Sequence, residues 1–85
     1  MAQDPRKHTR TEWNRLGEVS SLTGQFICNC FVKDISAGGA CVIVPAAEVV
    51  PDYFRLNYGV EDLTPKCRVR WRSGNEMGVE FYRDK

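Results

Sequence analysis

Two short stretches of the chain combine residue types that recognise anions and bases. Arg6-Lys7-His8-Thr9-Arg10 sets two arginines four residues apart in a polar N-terminal segment, and Asp34-Ile35-Ser36-Ala37-Gly38-Gly39 sets a carboxylate, a hydroxyl and a glycine pair between two strand-like runs. Guanidinium groups grip phosphate, and equally the O6/N7 edge of guanine, through paired hydrogen bonds. A carboxylate accepts the ring N–H and amino protons on guanine's other edge. A hydroxyl and glycine backbone N–H groups in a tight turn suit a phosphate or a base edge. The ligand that uses all of these groups is a guanine nucleotide with accessible phosphates.

Each residue also has a structural reading. Asp34 and Ser36 can fix their own turn by bonding nearby backbone N–H groups, which would leave a preorganised site behind. Gly38 and Gly39 serve backbone conformation first, because glycine adopts positive φ freely, and ligand approach only through it. Arg6 and Arg10 taken alone read as solvated charges on a tail; Lys7 is a further phosphate contact, and His8 is exposed.

The elements that must hold these residues read as strands. Residues 1–10 contain Pro5 and show no apolar period, so they form a flexible arm that orders only when something binds it. Residues 11–16 form a short first run ending at Gly17, continued over 18–22 after a kink. The longest strand, 25–35, places Phe26, Cys28, Cys30 and Val32 on one side and Ile27, Asn29, Phe31 and Lys33 on the other. After the Ser36–Gly39 turn come a run over 40–44, one helical turn between Pro45 and Pro51, a strand over 53–58 and a polar loop over 59–64. Along 66–72, Cys67, Val69 and Trp71 point inward and Arg68, Arg70 and Arg72 outward. Period therefore puts Trp71 in the core; its other reading is a rim position beside a guanine. A hairpin at Ser73-Gly74-Asn75 leads to a last strand with Met77, Val79 and Phe81 inward. Short strands at regular spacing without a long amphipathic helix make an all-β fold, a small antiparallel β-barrel.

Composition narrows the function. With 12 basic and 11 acidic residues the net charge is +1, which argues against long-range attraction to nucleic acid or an anionic membrane. No apolar run spans a bilayer and the N-terminus lacks the apolar stretch of a signal peptide, so a cytoplasmic location is expected. The cysteines at 28, 30, 41 and 67 include no C-x-x-C pair and His8 is the sole histidine, so no metal site is expected and reduced thiols are. No nucleophile–base pair, P-loop or dinucleotide fingerprint is present, which points away from an enzyme.

On the residues above, the chain resembles the PilZ domains, which carry R-x-x-x-R followed later by [DN]-x-S-x-x-G. Arg6 and Arg10 match the first motif; Asp34, Ser36 and Gly39 match the second. The segment Cys67-Arg68-Val69-Arg70-Trp71-Arg72, with Gly78-Val79-Glu80-Phe81, is similar to the family's last two strands. This resemblance implies a six-stranded β-barrel over residues 11–85 that binds cyclic di-GMP, a second messenger with two guanines and two phosphates. It implies no catalytic residue and no further cofactor. Many PilZ domains add a C-terminal helix across the barrel mouth; here the sequence stops four residues after Phe81, so no C-terminal helix is expected. Ligand contacts would come from Arg6, Lys7, Arg10, Asp34, Ser36, Gly38 and Gly39, with Trp71 beside the base in its second reading. Binding would order the arm, and a downstream protein would read the closed form. Two other classes remain: a degenerate PilZ-like adaptor without nucleotide, which the intact motifs oppose, and a nucleic-acid-binding barrel using Trp13, Phe26 and Trp71, which the charge balance opposes.

Overall fold

Alternation of apolar and polar residues builds six strands, and the computed structural model, which describes residues 11–60 and 63–83, closes them into an antiparallel barrel. The strands are β1 (Thr11–Ser20), β2 (Phe26–Ser36), β3 (Gly39–Ile43), β4 (Tyr53–Asn57), β5 (Lys66–Ser73) and β6 (Glu76–Tyr82). Their order around the barrel is β1-β2-β3-β6-β5-β4, and Glu18, Val19 and Ser20 of β1 pair with β4 to close it. Closure removes the unpaired edges that an open sheet of this size would expose. No α-helix occurs among the described residues; a single 3-10 turn, Ala47–Val49, sits between Pro45 and Pro51. No described helix is long and apolar enough to cross a membrane. Arg6, Lys7 and Arg10, with the arm expected over 1–10, lie outside the described residues.

Inward side chains from every strand fill the barrel: Val19, Val32, Val42, Phe54, Leu56 and Met77 are all fully buried. Burying a side chain of this kind stabilises the fold by about 1.5–3 kcal/mol each. Cys30 and Cys67 belong to the same core, and all four cysteines are free thiols.

Several expectations from period are corrected here. The run over 11–16 continues through Gly17 as one strand, as read, but that strand ends at Ser20 and not at 22. A Cβ at Gly17 would run into the main-chain carbonyl of Asn57, so glycine there permits β1 to approach β4. On β5, a register shift between Val69 and Trp71 inserts one residue and reverses the alternation. Trp71 consequently faces outward and is 47% exposed, against the inward expectation. Arg72 takes the inward phase at the barrel's end, opposite Met77, and its guanidinium bonds the Ala47 carbonyl and, at 2.8 Å, Asp52. A similar shift between Val32 and Asp34 turns both Lys33 and Asp34 outward, and one between Val19 and Ser20 leaves Phe26 exposed.

Candidate functional site

Asp34 and Ser36 end β2, and the chain turns through Ala37 and Gly38 into Gly39, the first residue of β3. The Ser36 hydroxyl ties this corner: its Oγ accepts from the Gly38 N–H at 3.3 Å and donates to the Gly39 carbonyl at 3.4 Å. The Gly38 carbonyl accepts from the Phe81 N–H at 2.9 Å, which fastens the corner to β6. The glycines do not supply a positive φ, contrary to expectation; the left-handed glycines among the described residues are Gly24, Gly59 and Gly74. What Gly39 supplies is closeness, since a Cβ there would collide with the Val79 carbonyl of β6.

Register aligns the rest. Asp34 pairs with Cys41, Cys41 with Gly78, and Gly78 with Trp71, so these four form one cross-strand row on the outer surface. One step along, Ser36, Gly39, Glu80 and Arg68 form the next row. The middle of the first row and the Gly39 position beside it carry little side chain, so Gly39, Cys41 and Gly78 make a shallow floor that Glu80 of the second row borders. A Cβ at Gly78 would meet Nε1 and Cε2 of Trp71, so the indole lies directly over that glycine. Strands stand about 4.8 Å apart; by leaning over β6 the ring comes one strand closer to Asp34 than its own backbone does. A carboxylate and a hydroxyl thus border the floor on one side and an aromatic ring on the other.

A polar cluster flanks the floor. Glu76 Oε2 accepts from Lys33 Nζ at 3.0 Å and from the Cys41 thiol at 2.9 Å. These two hydrogen bonds, the thiol's first, hold the Glu76 carboxyl below its ordinary range, and Glu76 in turn raises the Lys33 ammonium. Burial, then the Glu76 hydrogen bond, pushes the Cys41 thiol up to about 12. Burial does the same for Cys30 and Cys67, each to about 12, and also raises Cys28. Alkylation needs thiolate, so the native chain at mildly alkaline pH is expected to take up iodoacetamide slowly, with partly exposed Cys28 first. Peptide mass mapping over time checks this; rapid labelling of Cys41 would contradict the hydrogen-bonded thiol.

Beyond the corner, the barrel end opens into a cavity of about 650 Å³ walled by Trp13, Ile35, Tyr58, Leu63 and Phe81, with Ser36 at its edge. Trp13 is fixed by an Nε1 hydrogen bond of 2.7 Å to the Tyr58 carbonyl, and the Arg15 guanidinium lies 4.7 Å from the centre of its ring. Asn14, at φ 52°, sits in the bulge that aims this pair. Among the described residues the walls are mainly apolar and carry no carboxylate for guanine N–H groups, whereas the floor has Asp34 beside it.

Sequence reasoning identified Asp34, Ser36 and Gly39 together and missed Cys41 and Gly78. A glycine inside a strand signals a close neighbour, but the neighbour is Trp71 only because of the β5 bulge. Carboxylate, hydroxyl-tied corner and surface indole lie together on the outer wall of a closed barrel. The chain matches the PilZ domain family over residues 4–85, nearly its whole length, and belongs to that family. PilZ domains bind cyclic di-GMP and act as ligand-binding or adaptor domains rather than catalysts. No curated protein matches the chain.

Proposed function

We propose that this PilZ domain is a cyclic di-GMP receptor whose ligand lies on the floor between Asp34 and Trp71. The observation that carries the reading is the single cross-strand row Asp34, Cys41, Gly78 and Trp71, with the Ser36 corner beside it. In this reading Asp34 accepts the ring N–H and amino group of one guanine, and Trp71 covers a base face. The Ser36 corner and the glycines at 38 and 39 let the ligand approach the backbone. Arg6, Lys7 and Arg10 supply phosphate and O6/N7 contacts. Their reach is consistent with that role: β1 starts at Thr11, paired with Ile35, and one peptide unit separates Arg10 from Thr11 by about 3.8 Å between Cα atoms. Arg6, five residues before Thr11, has a tether of at most about 18 Å.

Ordering of the arm on the ligand is part of the proposal. The ligand's preference for the closed form supplies the driving force, and a partner protein reads the new surface. Calorimetric titration with cyclic di-GMP tests the reading. The parent chain should bind, and Trp71→Ala should bind about tenfold more weakly, the loss of roughly 1–3 kcal/mol of base stacking. A folded parent that gives no heat and no shift of its amide signals at saturating nucleotide would overturn it. That outcome would favour an adaptor that works without nucleotide.

A further inference from the structure

Arg68 ends the second row of the floor on β5, as Trp71 ends the first. Pairing runs from Ser36 to Gly39, from Gly39 to Glu80 and from Glu80 to Arg68, so Arg68 faces the Ser36 corner across Gly39 and Glu80. Arg68 is exposed on the outer wall, while its neighbour Cys67 points into the core. Glu80 divides unequally between two arginines. Its Oε1 accepts at 2.8 Å from Nη1 of Arg70, the residue inserted at the β5 bulge, whereas Nη1 of Arg68 lies 3.8 Å away, beyond hydrogen-bond range. The Arg70 hydrogen bond is the largest of the effects that hold the Glu80 carboxyl below its ordinary range, so the group is ionised at neutral pH and Arg70 offsets its charge. The Arg68 side chain, 52% exposed, presents guanidinium N–H donors beside the floor.

We infer that Arg68 holds a phosphate of the nucleotide from the barrel wall, an assignment that rests on the floor being a cyclic di-GMP site. The two rows are two residues apart along β2, or about 6.5–7 Å, and a ribose separates a base from its phosphate by a comparable length. A guanine beside Asp34 in the first row therefore sets its phosphate over Gly39 in the second. No side chain stands there, and a guanidinium can grip two phosphate oxygens in paired geometry. The arm joins at the same end, since Thr11 pairs with Ile35, the neighbour of Ser36. Groups that bind phosphate thus reach this end of the floor from both the arm and the wall. The other role open to Arg68 is to hold Glu80 for the sake of the fold. An exposed ion pair at 3.8 Å contributes little to stability, so the barrel has small need of it.

Calorimetric titration with cyclic di-GMP tests the inference on the parent, Arg68→Ala, Arg68→Lys, Glu80→Gln and Arg55→Ala, with thermal unfolding to read the fold. Binding by the parent reads the receptor assignment; the ratio of each variant to the parent reads Arg68. Arg68→Ala should unfold close to the parent and bind about tenfold more weakly, the loss of one charge-assisted contact. Arg68→Lys keeps the charge without the fork and should recover part of that loss. Glu80→Gln removes a negative charge next to the phosphate and keeps a carbonyl for Arg70, so it should bind at least as tightly as the parent. Arg55→Ala makes the same charge change on β4, in the row beyond, and should match the parent. If the parent binds and folded Arg68→Ala binds as tightly, Arg68 does not touch the phosphate, and the receptor reading stands without it. Equal weakening by Glu80→Gln would assign the effect to the ion pair, and equal weakening by Arg55→Ala to net charge; either overturns the inference. A folded parent that does not bind overturns the receptor reading and this assignment with it.

Discussion

Asp34→Ala is expected to weaken cyclic di-GMP binding about a hundredfold and to leave the barrel folded. The Asp34 side chain points out of the barrel from β2, so its removal opens no cavity in the core. In the proposed complex the carboxylate accepts two hydrogen bonds from one guanine edge. A hydrogen bond to a charged group contributes about 1.5–3 kcal/mol, and a net loss of about 2.7 kcal/mol for the pair corresponds to a hundredfold in the dissociation constant. Asp34→Asn should fall nearly as far, because the amide turns one acceptor into a donor that faces a guanine donor. Lys33→Ala is the neighbouring control: its ammonium is occupied by Glu76 at 3.0 Å and points away from the carboxylate's task. Calorimetry on the three variants, with circular dichroism for the fold, checks the ranking. If folded Asp34→Ala binds as tightly as the parent, the carboxylate is not the guanine acceptor.

That Asp34 faces outward is itself something period alone misplaces. Strict alternation from Cys28, Cys30 and Val32 gives the correct core side of β2, then sends Asp34 inward. The register shift between Val32 and Asp34 restores it to the surface. The same thing happens on β5, where Cys67 and Val69 are inward as read, and one inserted residue exchanges the roles of Trp71 and Arg72. Bulges leave little trace in a single sequence, since they depend on how two strands of unequal curvature share a ladder. The six strands, their turns and the barrel were legible, because each run is bounded by glycine, proline or a polar cluster and has a clear inner face. The motif residues were legible as a group because their chemistry converges on one ligand. Their meeting with Trp71 was not, since it rests on two bulges and on Gly78, whose bare surface the indole fills. A glycine pair in a turn also invited a positive-φ reading, while the constraint at Gly39 is an approach between strands far apart in sequence.

That constraint makes Gly39→Ala the substitution expected to cost the fold most among the site residues. A Cβ at this position points at the Val79 carbonyl, and the obstacle is main chain, which cannot rotate away as a side chain would. Relief requires β3 to move off β6, which strains the Gly39–Glu80 pairing and the 2.9 Å bond from the Phe81 N–H to the Gly38 carbonyl. Overpacking of this kind costs about 1–3 kcal/mol, and with main chain as the obstacle the upper half of that range applies. A domain of this length holds about 4–13 kcal/mol in all, so the loss is a large share of it. Urea unfolding should show a lower midpoint with an unchanged slope. The binding site should suffer with the fold, because β3 and β6 are the two strands between Asp34 and Trp71. Under conditions where Gly39→Ala is still fully folded, its affinity for cyclic di-GMP should therefore also fall, by tenfold or so if the floor widens enough to lose one stacking contact of about 1–3 kcal/mol. A variant that unfolds at the parent's urea midpoint would show that strand approach does not demand glycine here. One that is destabilised yet binds like the parent would separate the floor from the ligand.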